Sequence, residues 1–157
     1  MTPTPVRGCL RIGLLVVLAG ALAIGWWYWS GTRPPRQVVA RIEKPQQVSK
    51  GDEFELRVHL TNQREDRPFH LTEIVIDQPF DDFFNVVSVT PSPVQRHRFK
   101  LAIIVLYKFD VLVPPRSTKV VTFRLRAARE GFAAGDFLIY EGRHALKQRE
   151  TVEVVAK

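Results

Sequence analysis

The sequence predicts an all-β fold: an antiparallel β-sandwich of about seven strands, preceded by one N-terminal transmembrane helix. Three observations carry that prediction. From Ile12 to Trp29 the chain holds no charged residue. As a helix, Leu10 to Trp29 reaches roughly 27–30 Å, the thickness of a bilayer's hydrocarbon core. From Gln37 onward the apolar residues recur at every second position, the period of strands with one wet face, and nothing after the span has helical periodicity.

The span closes with Trp26, Trp27, Tyr28 and Trp29, whose amphipathic rings favour the headgroup region. This divides the chain into a short cytoplasmic segment (1–9), the transmembrane helix (10–29), a Pro-rich linker (30–36) and the sandwich (37–157). Gly31 ends the helix and Pro34-Pro35 favours a short extended stalk. Ala21-Leu22-Ala23 has the small-x-small form of a cleavage site. Cleavage there would leave Ile24 and an aromatic cluster at a mature N-terminus, so an uncleaved signal anchor is the better reading. Cys9, the single cysteine, precedes the apolar run, whereas a lipid-modified cysteine should follow one.

The flanking charges argue in opposite directions. Arg7 and Arg11 lie before the span; Arg33, Arg36, Arg41 and Lys44 lie after it. Counted alone, they would keep the domain in the cytoplasm. Large domains translocate largely regardless of charge, however, and a short basic head before an apolar run is what export machinery reads. The expectation is a single-pass protein of the inner (plasma) membrane, N-terminus cytoplasmic and C-terminal domain extracytoplasmic.

The strands follow in order. Val38 to Ile42 sets Val38, Ala40 and Ile42 on one face. After the Gly51-Asp52 turn, Phe54, Leu56, Val58 and Leu60 alternate with Glu53, Glu55, Arg57, His59 and Thr61, a half-buried strand. Gln63 to Pro68 reads as a charged loop. His70 to Asp77 is the next strand, with Ile74 and Ile76 inward. Asp77 to Asn85 breaks the pattern, and one helical turn there would pack Phe80, Phe83 or Phe84 under the sandwich edge. Val86, Val87 and Val89 resume the extended chain until Thr90-Pro91-Ser92-Pro93 stops it. Phe99 to Val113 reads as one long apolar strand. Lys119 to Ala128 alternates Val121, Phe123, Leu125 and Ala127 with polar residues, Glu130-Gly131 ends it, and Gly135 to Tyr140 and Glu150 to Val155 close the domain.

Composition narrows the chemistry. The formal charge is +7 over 157 residues, too modest and dispersed to argue for nucleic acid, and no nucleic-acid-binding signature accompanies it. His59, His70, His97 and His144 lack metal-ligand spacing. Asp77, Asp81 and Asp82 lack the alternating pattern of a calcium loop, and a solvated loop or a helix N-terminus is expected of them. No G-x-S-x-G or phosphate loop occurs. No cofactor, metal or catalytic residue is expected.

Two blocks carry a resemblance. The first is Val48…Gly51-Asp52…Phe54-Glu55-Leu56-Arg57-Val58…Leu60-Thr61-Asn62. The second is Leu112…Pro115…Ser117…Val120-Val121-Thr122-Phe123-Arg124-Leu125-Arg126-Ala127, with Gly131 and Asp136 to Tyr140 after it. Together they resemble bacterial extracytoplasmic Ig-like domains of the cell-adhesion-related (CARDB) type. The resemblance implies an Ig-like sandwich used for adhesion, spacing or protein contact in the cell envelope, and it implies no catalytic residue.

The expected function is therefore a membrane-anchored, non-catalytic interaction module. It would touch the bilayer through residues 10–29, bind an envelope or membrane protein or form part of a membrane assembly, and self-associate weakly at most. Its candidate surface comes from Phe99 to Val113. If odd positions face the core, then Ala102, Ile104 and Leu106 project outward as an apolar patch. A bulge, or the 80–95 segment folding over this face, would remove the patch. The alternative function is binding of anionic lipid or envelope polymer through Arg96, Arg98, Lys100, Arg124 and Arg126.

Overall fold

A computed structural model describes residues 35, 37–99 and 103–157. The predicted membrane helix with Trp26, Trp27, Tyr28 and Trp29 lies outside the described residues, as do Lys100, Ala102 and all of the linker but Pro35. Among the described residues no helix is long and apolar enough to cross a membrane.

The strands are β1 (Val38–Glu43), β2 (Gln47–Ser49), β3 (Glu53–Asn62), β4 (Phe69–Asp77), β5 (Phe84–Thr90), β6 (Gln95–Phe99), β7 (Ile104–Val113), β8 (Ser117–Ala127), β9 (Gly131–Glu141) and β10 (His144–Val155), with one helical turn, α1 (Gln78–Asp81), after β4. They form a four-stranded sheet, β1-β3-β8-β5, and a six-stranded sheet, β2-β10-β9-β4-β7-β6. Among the described residues ten strands replace the seven or so expected, and the short β2 runs parallel to β10, so the sandwich is antiparallel but for that pair.

The alternating pattern places the core. Leu56 opposes Phe123 and Val58 opposes Val121 across β3 and β8, and all four are buried. From the other sheet, Ile74, Ile76, Val105, Tyr107, Phe137 and Ile139 join the same buried cluster. Period-two alternation yields this arrangement because successive side chains leave opposite faces of a strand.

α1 forms where Pro79 sits in the first turn, a position that tolerates its missing N–H. It sends Phe80 into the core, with ring centroids 5.0 Å from Phe84 and 5.1 Å from Phe137. β9 passes it at Gly135, where an added Cβ would stand 2.7 Å from the Phe80 Cβ. Only a glycine admits the helical turn at this distance.

The long apolar run is two strands. β6 and β7 form a hairpin in which Phe99 pairs with Ile104 and Arg96 with Tyr107. Inward alternation holds from Val105 onward, but Phe99 and Ile103 are exposed. Ile103 takes a positive φ of 53°, which disfavours a β-branched residue. The chain can therefore reverse where apolar composition suggests continuation.

The charged loop before β4 is also not a solvated one throughout. Arg64 is buried, and its guanidinium donates to both carboxylate oxygens of Glu141 at 2.8 and 2.5 Å. The Asn62 amide donates to the carbonyls of Val113, Arg67 and Pro114. Burial alone would raise the Glu141 carboxyl. The Arg64 hydrogen bonds, then the His70 N–H and the charges of Arg64 and Arg67, hold it below the usual range.

Candidate interaction surface

The two outer faces of the sandwich follow from the strand registers. On the four-stranded sheet, Glu55 stands opposite Arg124, Glu53 opposite Arg126, and Glu43 opposite Arg57. These charges satisfy one another. Glu53 accepts from Arg124 at 2.8 Å and from Arg126 at 2.5 Å. The Arg126 hydrogen bond, then the charges of both arginines, hold the Glu53 carboxyl below its ordinary value against a smaller opposing effect of desolvation. Arg57 donates to Glu55, and His59 pairs with Glu43 at 3.0 Å.

The six-stranded sheet is different outside. One row runs His97, Leu106, Val75, Leu138 and Lys147 across β6, β7, β4, β9 and β10. Beside it, Phe99 and Ile104 lead to Asp77. Val75 is 5% exposed yet stands apart from the internal core cluster. It is flanked by Leu106 and Leu138, so a second apolar layer lies on the outside of this sheet. Ile104 and Leu106 are half-buried members of that layer, facing opposite to Val105 and Tyr107. The one bulge between β4 and β7 lies beyond them, between Leu71 and Glu73. β5 lies in the opposite sheet, so it does not cover this face. Ala102 falls outside the described residues.

Of the five basic residues, the four that are described do not form one surface. Arg96 and Arg98 sit on the inward side of β6, in register with Tyr107 and Val105, and turn toward α1. There Arg98 donates to Asp81 and approaches Asp82 at 3.4 Å. Arg96 lies 3.6 Å from Asp81, with its guanidinium over the Tyr107 ring at 5.3 Å. Asp81 is 4% exposed and lies in the first turn of α1, so of the two expectations for these aspartates the helix N-terminus holds and the solvated loop does not. The Tyr107 hydroxyl is 3.4 Å from the same carboxylate. Burial first, and the Asp81 charge second, push this phenol above its ordinary value and keep it protonated. Arg124 and Arg126 lie on the opposite sheet, engaged by Glu53, and Lys100 is outside the described residues.

Sequence reasoning missed Val75, Leu138 and Phe99 as members of the outer layer, and Asp81 as the hub under β6. Val75 carries a local signal, being an apolar residue between the inward pair Ile74 and Ile76. Asp81 carries none, because its partners come from a hairpin 15 or more residues away.

Among the described residues no group of three His, Cys, Asp or Glu side chains could hold a metal ion. Between Phe80, Asp81, Leu56 and Phe137 the core leaves about 10 Å³, at the lower limit for one water. A surface hollow of about 380 Å³ beside β2 is lined by Gln47, Asp52, Glu53 and Phe54.

Two packed sheets of this topology define an Ig-like β-sandwich, and the solved structures it is similar to agree. The CARDB domain of a Pyrococcus furiosus protein, solved in complex with di-metal ions, aligns at 18% identity and a TM-score of 0.50, over 76% of this chain and 94% of that one. A cohesin module from a Clostridium perfringens family 33 glycoside hydrolase aligns at 12% identity and a TM-score of 0.52, over 76% and 98% of the two chains. Salmonella alpha-2-macroglobulin shares the fold over 75% of this chain and 7% of its own, at 20% identity and a TM-score of 0.50. The sequence matches no family model and no curated protein. The domain is an Ig-like β-sandwich by fold, a fold it shares with the CARDB domain.

Proposed function

We propose that this protein is a membrane-anchored, non-catalytic interaction module of the cell envelope, held by residues 10–29 and binding a protein partner through the outer face of its six-stranded sheet. The observation that carries this reading is the apolar layer of Val75, Ile104, Leu106 and Leu138 on the side away from the core. An apolar patch of β-prone residues on an outer face, here bordered by Asp77 and Lys147, is a natural site for another surface to cover. The anionic lipid or polymer alternative takes second place, because Arg98, Arg124 and Arg126 already spend hydrogen bonds on Asp81 and Glu53.

The test is crosslinking of the full chain in membranes, comparing wild type with the double change Ile104→Ser, Leu106→Ser. The proposal expects a discrete crosslinked partner that survives high salt and is lost in the double variant, with the β-sheet circular dichroism unchanged. Retention of the partner by a folded double variant would overturn it. Salt-sensitive capture on anionic vesicles in its place would favour the basic alternative.

A further inference from the structure

β6 pairs with β7 alone, and all five of its residues are exposed. None of them belongs to the buried core cluster or to the partly buried apolar residues packed against it. An exposed end strand without an apolar anchor ordinarily opens first. What holds β6 from the inside is charge. Its inward side chains, Arg96 and Arg98, both reach the carboxylate of Asp81. Arg98 also approaches Asp82 at 3.4 Å, and Arg96 lies across the Tyr107 ring.

Asp81 is fixed in turn by the core. It ends α1, next to Phe80, whose ring lies against both Phe84 and Phe137. The first residue of α1 grips the other limb of the hairpin, where the Gln78 N–H donates to the Ile103 carbonyl at 2.9 Å. The helical turn therefore holds the β6–β7 hairpin at two points. On the outside of that hairpin His97 and Phe99 stand level with Leu106 and Ile104, their own rings 6.1 Å apart.

We infer that Asp81 is a positioning residue for the partner-binding face: through Arg96 and Arg98 it holds β6 against β7, and so keeps His97 and Phe99 in register with Leu106 and Ile104. The inference rests on the reading of that face as the contact surface and adds the residue that shapes it. Because Asp81 is buried, its two ion pairs are costly to lose. Arg96 and Arg98 keep 45% and 44% of their side chains exposed. Once unpaired they turn to water, so loss of the clamp frees the strand and leaves the core in place. A partner must then order β6 on binding, and that cost is read as lost affinity.

The experiment neutralises the clamp from either side in the full chain: Asp81→Asn, the pair Arg96→Gln with Arg98→Gln, and all three changes together. Hydrogen exchange is followed in detergent at 95–99 and, as a control for the core, at 121–125. Partner crosslinking is measured in membranes. Asp81→Asn should speed exchange at 95–99 by about tenfold or more while 121–125 stays within about twofold of wild type. It should lower crosslinking about fivefold. The arginine pair should do the same, and the triple variant should go no more than about twofold beyond either, because the residues act as one unit. Phe99→Ser is the complement: it should lower crosslinking while exchange at 95–99 stays within about twofold. Unchanged exchange at 95–99 in Asp81→Asn overturns the inference, as does equal acceleration at 121–125 or a triple variant whose losses multiply. Crosslinking lost with Ile104→Ser, Leu106→Ser but intact in an Asp81→Asn protein with fast exchange at 95–99 overturns the positioning role and leaves the face reading standing. Crosslinking that survives Ile104→Ser, Leu106→Ser ends the face reading, and the positioning role with it.

Discussion

The two outer faces of this sandwich belong to different strands that share one alternating pattern, and they differ in chemistry. On the four-stranded sheet, Glu53, Glu55, Arg57, Arg124 and Arg126 alternate with core residues and pair with one another across strands. On the six-stranded sheet the corresponding outward positions are Val75, Ile104, Leu106 and Leu138. Alternation decides which residues go inside. The chemistry of the residues left outside decides whether a face is closed to partners or available to them.

Substitutions on the inner and outer faces should separate these roles, beginning with the largest effect. Phe123→Ala removes a ring that is 1% exposed and stacked edge-on with Tyr107 at 5.1 Å. It should cost about 3–5 kcal/mol in denaturant unfolding, because both sheets lean on it. Glu141→Gln leaves the buried Arg64 guanidinium with half its partner, and a loss of about 3 kcal/mol is expected. Charge matters at this loop because it is buried, as it is not on the outside of β3.

The same pair sets a pH dependence. Because the folded Glu141 carboxyl lies below its ordinary value, its contribution to stability is fully present above the unfolded value near ~4.3. It is lost as pH falls through the lower, folded value. Acid melting curves should show this loss in the wild type, and Arg64→Met should flatten it.

On the outer layer, Ile104→Ser with Leu106→Ser should cost about 2 kcal/mol, since both side chains are half-buried, while abolishing partner capture. The smallest effect belongs to Arg124→Ala on the charged face. Its side chain is 57% exposed, and the melting temperature should move by no more than about 2 °C. If the outer double change proved as damaging as Phe123→Ala, the two faces of β7 would have been assigned the wrong way round.

Much of this fold is legible in the sequence where burial is one-sided. Phe54 to Leu60 and Val121 to Ala127 alternate without interruption, and the structure buries the residues that the pattern selects, Phe54 in part and the others fully. The Phe80 and Phe84 cluster after Pro79 was equally readable as one packed turn. β6 was not, because Gln95-Arg96-His97-Arg98-Phe99 is exposed throughout and leaves no apolar period. The reversal before Ile104 was hidden by an apolar run that places Ile103, a poor residue for positive φ, in the turn. β9 and β10 begin at Gly131 and His144, ahead of their predicted starts, because Lys147 to Glu150 of β10 are polar and leave no apolar period to read. Arg64 and Glu141 are 77 positions apart, and no local pattern announces such a pair. Of the candidate site, Ile104 and Leu106 could be named from the alternation of β7 alone. Val75, Leu138 and Phe99 needed the strand order.

The most direct test of the central claim, that contact is made through the six-stranded sheet, is site-specific photocrosslinking in membranes. A photoreactive side chain is placed at Leu106 in one protein and at Arg57 in another, each outward on its own sheet. The account predicts one discrete adduct from position 106 and none from position 57. Adducts from position 57 alone, or equally from both, would contradict it.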